Sequence, residues 1–125
     1  MILDTSALSA LADGDPALGS RLGEVPILSV PVIVIGEYLC GVSGSRHRTA
    51  YERWLDKNLP IFDILSIDRE TAEAYGRLRR ELKNIGKPMP ENDVWIAALA
   101  RQYELPVVSR DNHFSAVPGI DQVFW

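Results

Sequence analysis

Short apolar runs alternate with stretches of helical periodicity along the whole chain, and this alternation predicts an α/β protein with a mainly parallel sheet covered on both faces. Length and composition agree. At 125 residues, 46% hydrophobic and 24% charged, the chain suits one soluble globular domain over residues 1–125, and a two-domain enzyme is excluded. No repeat, linker or low-complexity segment interrupts the pattern. At this length folding buries roughly two thirds of the surface of the unfolded chain, enough for a core without disulfides or metal staples.

The elements follow in order. Met1 to Leu3 is a short apolar run, and Asp4, Thr5 and Ser6 after it all cap helices, so the chain opens as strand, cap and helix, with Ala7, Leu8, Ala10 and Leu11 as the apolar positions. Asp13-Gly14-Asp15-Pro16 breaks that helix and starts another, with Asp15 as cap and Pro16 in the first helical position. A second strand is expected over Ile27 to Val30. It feeds a buried helix that runs from Pro31 to Val42 and closes at Gly41, Ser43 and Gly44. Arg46 to Leu59 carries Tyr51, Trp54 and Leu55 at helical spacing, and Pro60 ends it before a strand over Ile61 to Leu65. Asp68 precedes the clearest amphipathic helix, Thr71 to Ile85, whose predicted stripe is Ala72, Tyr75, Leu78 and Leu82, and Gly86 stops it. After the stiff Lys87-Pro88-Met89-Pro90 loop, a helix over Asn92 to Tyr103, a short buried strand over Pro106 to Ser109 and a last strand over Gln122 to Trp125 complete the pattern.

The net charge of −4 argues against a protein that coats nucleic acid through bulk positive charge. The distribution is more informative than the sum. Residues 1–45 sum to −4 and residues 88–125 to −3, whereas residues 46–87 sum to +3, so the two ends can build an acidic site and the middle a basic flank. The one cysteine, Cys40, cannot form an internal disulfide and is expected as a small buried hydrophobe. No apolar stretch reaches the roughly 20 residues that span a bilayer. The N-terminus has Asp4 where an export signal has bases, so a cytoplasmic location is expected.

In a parallel sheet ligands sit beyond the carboxyl ends of the strands, which draws attention to Asp4 and Asp111, although each also fits as a local cap or turn residue. Glu37 is the only charged residue between Glu24 and Arg46 and is surrounded in sequence by apolar residues. If buried, it needs a proton, an ion pair or a metal. Asp93 lies in the first turn of its helix, where it complements the dipole, but Ile96, Ala97 and Ala100 at +3, +4 and +7 point it along a packed face. Four converging carboxylates repel one another unless a cation neutralises them, and hard oxygen donors select Mg²⁺ or Mn²⁺. Cys40, His47 and His113 make no zinc spacing, and no nucleophilic triad, Walker motif or dinucleotide fingerprint occurs. His113, after Asp111-Asn112, is a candidate for contact with substrate as well as an ordinary loop histidine.

Four segments taken together, Ile2-Leu3-Asp4-Thr5-Ser6-Ala7-Leu8, Glu37 in the helix after the second strand, Asn92-Asp93-Val94-Trp95-Ile96-Ala97-Ala98, and Ser109-Arg110-Asp111-Asn112-His113-Phe114, resemble the PIN-domain nucleases, and most of all their VapC toxin branch. The likeness covers nearly the whole chain in order and spacing. It implies a three-layer α/β/α sandwich and an acidic quartet, carried over as Asp4, Glu37, Asp93 and Asp111, that binds Mg²⁺ or Mn²⁺ and cleaves RNA to 3′-hydroxyl and 5′-phosphate ends. Ser109 stands where the family often has Thr and keeps the hydroxyl, and Ser6 falls where the family places a small polar residue near the metal. Ser6, Asn92, Ser109 and His113 are the expected supporting or substrate-contacting residues. A homodimer and a small VapB-like antitoxin are the implied partners. Arg77, Arg80 and Lys83, at helical spacing, are candidates to hold RNA phosphates beside the acids, and solvated surface charge accounts for them equally well.

Two other classes fit the residues less well. Phosphoaspartyl receivers need a neighbouring pair of acids and a late lysine, and the related phosphatases need Asp-x-Asp; here residue 6 is Ser and the last lysine is Lys87. A catalytically silent PIN-like module that binds RNA or protein is the second alternative, and the complete set of acids argues against it.

Overall fold

In the computed structural model, which describes residues 1–125, five parallel strands form one sheet. They are β1 (Ile2–Leu3), β2 (Ser29–Pro31), β3 (Asp63–Leu65), β4 (Val107–Val108) and β5 (Gln122–Val123). The helices are α1 (Thr5–Ala12), α2 (Pro16–Leu22), α3 (Val32–Ser43), α4 (Arg48–Asn58), α5 (Arg69–Asn84) and α6 (Glu91–Tyr103), with 3₁₀ turns at Leu59–Ile61 and Asn112–Ala116.

The strand order is β3-β2-β1-β4-β5. The chain therefore winds outward from β1 through β2 to β3, then returns to the other side of β1 with β4, where Ile2 pairs with Val107 and Leu3 with Val108. Right-handed crossovers put α1 to α4 on one face and α5 and α6 on the other, which is the three-layer sandwich expected. The β1/β4 boundary is the point at which the winding reverses, and Asp4 and Ser109 are the residues that leave those two strands.

One apolar cluster joins the layers. Ile2, Leu3, Val107 and Val108 in the central strands, Leu78 on α5 and Val94, Ile96 and Leu99 on α6 are all fully buried. Each such side chain contributes roughly 1.5–3 kcal/mol on leaving water. No helix is long and apolar enough to cross a membrane.

Several boundaries and faces differ from expectation for physical reasons. Ile27 is exposed, and β2 begins only at Ser29, where pairing to Ile2 and Asp63 starts. The segment before β3 winds into the 3₁₀ turn, which leaves Ile61 exposed. On α5, Ala72 faces solvent, and the buried stripe is Thr71, Ala74, Leu78 and Leu82, because the capping box that joins Asp68 and Thr71 turns Thr71 inward. The helix ends as expected, with Gly86 in the left-handed region. The α3 helix is not buried all round: only Val34 and Tyr38 are fully covered, and Cys40 is exposed instead of buried.

Candidate functional site

Asp4 is held more tightly than any other acid at the sheet's carboxyl edge. Its Oδ1 accepts the Ala7 backbone N–H at 2.8 Å and the Ser6 hydroxyl at 2.7 Å, and its Oδ2 accepts the Ser109 hydroxyl. It is at once the N-cap of α1 and a strand-end acid. A carboxylate has about four lone-pair positions, so these three donors leave one open, on Oδ2. Ser109 is itself fully buried, and its oxygen accepts the Asp111 N–H at 2.9 Å, which couples the loop after β4 to the acid after β1.

Asp93 and Asp111 complete a close group. The His113 Nδ1 lies 3.2 Å from Asp93 Oδ2 and 3.0 Å from Asp111 Oδ2, and the ligand atoms of Asp93, Asp111 and His113 all lie within 4.8 Å of one another. Asp111 also caps the 3₁₀ turn by accepting the His113 N–H at 3.0 Å. The electrostatics tie Asp4 into the same group. Burial pushes the Asp4 carboxyl above its ordinary range against the hydrogen bonds from Ser109, Ala7 and Ser6, and the Asp111 charge adds to the rise. Burial likewise raises Asp93; the His113 hydrogen bond opposes this, and the charges of Asp111 and Asp4 add to it.

Glu37 stands to one side. It is half-buried, not enclosed as the apolar sequence around it suggests, because the apolar residues of α3 are distributed around the helix. Its Oε1 accepts the Thr5 hydroxyl at 3.0 Å, so the residue after Asp4 anchors it. It lines a groove of about 360 Å³ with Thr5, Asp13, Tyr38 and Tyr51. There Tyr51 donates to Asp13 at 2.7 Å, and the Tyr38 hydroxyl, pushed up to about 12 by burial, donates to the Tyr51 carbonyl. Of the expected supporting residues, Ser6, Ser109 and His113 touch the acids, whereas Asn92 is exposed and makes no side-chain hydrogen bond.

Two positioning features have no local sequence signal. Gln122, on β5, donates to the carbonyls of Ser109 at 3.0 Å and Asp111 at 2.7 Å and accepts from Ser115 at 2.8 Å, which braces the whole loop that carries Asp111 and His113. Arg110 pairs with Asp15 and lies over the Trp125 ring at 4.6 Å, fastening the same loop to the start of α2. Both span long stretches of chain, so only the sheet order reveals them.

The donor set fits a hard divalent cation. Asp93 and Asp111 supply oxygens beside the one nitrogen of His113, the charges of Asp4, Asp93 and Asp111 repel one another, and Asp4 keeps one unfilled acceptor position.

Residues 1–120 match the family model of the PIN domain. The chain is 30% identical over 127 residues to Ribonuclease VapC5 of Mycobacterium tuberculosis, covering 98% of this chain and 90% of that protein. It is 32% identical over 123 residues to Toxin FitB of Neisseria gonorrhoeae, covering 89% and 87%. Among solved structures, FitAcB from Neisseria gonorrhoeae is similar at a TM-score of 0.82 and 26% identity, covering 97% and 94%. The VapBC2 structure from Rickettsia felis, bound to a DNA fragment from its promoter, reaches a TM-score of 0.90 at 24% identity, covering 99% and 97%, and bears on the fold alone. Sequence pattern, sheet order and family match agree, and the chain belongs to the PIN-domain family.

Proposed function

We propose that the chain, as a single domain over residues 1–125, is an endoribonuclease dependent on Mg²⁺ or Mn²⁺ and the toxin of a toxin–antitoxin pair. The observation that carries this reading is the cluster of Asp93, Asp111 and His113, joined through Ser109 to Asp4 where the sheet reverses its winding, with Asp4 and Asp93 both raised by burial and by neighbouring negative charge. Relatives named Ribonuclease VapC5 and Ribonuclease VapC4 support the activity.

Asp4, Asp93 and Asp111 would hold the cation, and Glu37 would complete the acidic cup from α3. When bound, the cation acidifies water and offsets the charge that grows on the phosphate oxygens. The chain supplies the rest. Ser6, Ala7 and Ser109 fix the Asp4 carboxylate, so that its open position faces one direction. His113 keeps Asp93 and Asp111 at a set separation. Glu37, which Thr5 orients and which is half-exposed, would accept a proton from the attacking water.

The partner is a VapB-like antitoxin, a reading supported by solved VapBC and FitAB complexes of related chains. A basic tail whose arginine enters the cup would neutralise the acids through charge-assisted hydrogen bonds, so excess Mn²⁺ is expected to restore part of the cleavage. A cytoplasmic homodimer is the proposed assembly, supported by Val32 and Leu39, which α3 leaves exposed. The test is to incubate metal-free protein with total RNA, with and without Mn²⁺, and map new 5′ ends. Metal-dependent cuts that leave 5′-phosphates are expected, and intact RNA under both conditions would overturn the reading.

A further inference from the structure

The largest cleft of the molecule is separate from the acidic group and has the opposite charge. It encloses about 520 Å³ between the C-terminal half of α5 and the Gly86–Met89 loop, and Arg79, Arg80 and Lys83 line it without a single acid. None of the three makes an ion pair. Arg79 rests only over the Tyr75 ring, at 5.8 Å from its centroid. In a chain of net charge −4, this is a local concentration of unspent positive charge.

The expected group Arg77, Arg80 and Lys83 is corrected by the structure. Arg77 lies on another side of α5, in a groove with Glu70, Glu73 and Arg101, and its charge acts on Glu81. The cleft is built instead on residues 76, 79, 80 and 83, one face of the helix at spacings of three, four and seven. Gly76 forms part of that face in mid-helix, where a Cβ would meet nothing within 4 Å. Packing within this chain does not require a glycine there, and helix propensity disfavours one, but its lack of a side chain keeps the cleft open.

The cleft is also close to the acids. Met89 lines it, and Asp93 follows four residues later, so their Cα atoms are at most ~14 Å apart. At ~3.4 Å per nucleotide along a stacked strand, that upper bound is no more than about four nucleotides between the Met89 edge of the cleft and Asp93. Tyr75, stacked on Trp95 with ring centroids 3.9 Å apart, lies between α5 and the helix that carries Asp93.

We propose that the Arg79–Arg80–Lys83 cleft binds the phosphate backbone of the RNA substrate within a few nucleotides of the scissile bond. This inference rests on the ribonuclease reading above. The cleft contributes affinity without reading sequence, since cations on phosphates carry none. It also sets a minimum substrate length, because a strand that ends before the cleft forgoes its contacts.

The experiment compares the full chain with the R79Q/R80Q/K83Q variant. In EDTA, binding of a 12-nucleotide single-stranded RNA is followed by fluorescence anisotropy from 50 to 200 mM salt. The variant's slope of log affinity against log salt is expected to be shallower by about two, so the wild type's advantage shrinks roughly 20-fold across that range. With Mn²⁺, the variant's KM for the long RNA should rise with little change in kcat, and the two proteins should converge on substrates cut back to two nucleotides on either side of the cleavage point. Gly76→Glu, which puts a carboxylate in the cleft and leaves the cations in place, should reproduce the loss and guards against misfolding of the triple variant. Equal salt slopes in all three proteins would overturn the inference while wild-type cleavage stands. Wild-type protein that binds with the expected slope but never cleaves would overturn the ribonuclease reading instead. A slope change seen with poly-glutamate and absent with RNA would assign the cleft to an acidic protein segment and overturn the RNA assignment.

Discussion

On the β1–β4 side of the proposed cup, Asp4 is 5% exposed and three donors fix its carboxylate, whereas on the α3 side Glu37 is half-buried and receives one hydrogen bond, from Thr5. The first group is placed by the sheet itself, since Ile2–Val107 and Leu3–Val108 pairing aligns the residues that leave the two strands. The second hangs from a helix whose rotation decides where its side chain points. A sheet-held acid can be desolvated and kept under charge repulsion because the ladder resists relaxation. A helix-held acid with one tether can move to meet water or substrate.

The largest effect expected from this difference is the loss of cleavage on neutralising the rigid side. Asp4→Asn and Asp93→Asn should each lower Mn²⁺-dependent RNA cleavage by about 10³-fold or more. Yet the metal-free fold should stay as stable or become more so, because removing one charge relieves the repulsion among Asp4, Asp93 and Asp111. In Asp4→Asn the side-chain amide oxygen can still accept the Ala7 N–H, so the cap of α1 survives. Cleavage assays beside thermal unfolding in EDTA check both halves. A variant that is inactive and also loses ~1 kcal/mol or more would mean that Asp4 serves mainly as a cap.

Glu37→Gln should cost less, on the order of 10²-fold in kcat with little change in KM, as for loss of a positioned base. Thr5→Val, which frees the carboxylate but keeps it, should fall between Glu37→Gln and wild type. Steady-state kinetics on one RNA rank the three proteins. If Glu37→Gln matches Asp4→Asn, both sides of the cup are equally committed and the contrast disappears.

The same division explains what is legible in the sequence. Asp4 and Asp111 can be found because short apolar strands end visibly, and Asp93 because Ile96, Ala97 and Ala100 mark the packed face of its helix. The exposure of Glu37 and Cys40 is not legible, because apolar residues spread all around a helix do not say which side a partner covers. On α5, Leu78 and Leu82 lie in the stripe as expected, whereas Thr71 and Ala74 take the first places expected for Ala72 and Tyr75, because the capping box at Asp68 and Thr71 turns Thr71 inward. Gln122 stays hidden because its contacts, 11 and 13 residues away, exist only once β5 is placed beside β4.

That hidden residue gives a smaller effect that sharpens the contrast. Gln122→Leu removes the amide that donates to the Ser109 and Asp111 carbonyls and leaves Asp111 on a loosened loop. Mn²⁺ affinity, read by calorimetry, should fall about tenfold, the lower end of what supporting hydrogen bonds around metal ligands provide. Unchanged affinity would show that Arg110, through Asp15 and Trp125, holds the loop unaided.

The smallest expected effect is a pH dependence confined to the rigid side. Asp4 and Asp93 titrate above their ordinary value of 3.8 in the folded protein, chiefly because burial penalises the ionised form. Between that value and their folded values the native state keeps protons that the unfolded chain has released, so unfolding free energy falls as pH rises. Their contribution is therefore complete below about pH 4 and lost as pH climbs through the folded values. Asp68, lowered by the Thr71 N–H, works in the opposite sense, losing its contribution as pH falls, but it is solvent-exposed and its effect is screened. In urea unfolding with EDTA from about pH 4 upward, wild type should lose stability relative to Asp4→Asn as pH rises. Saturating Mn²⁺ should remove that decline, because a cation bound only by the native state favours the ionised carboxylates. Curves for wild type and Asp4→Asn that run parallel across the range would mean that the fold holds Asp4 without strain, and the cup would then lack the repulsion that calls for a cation.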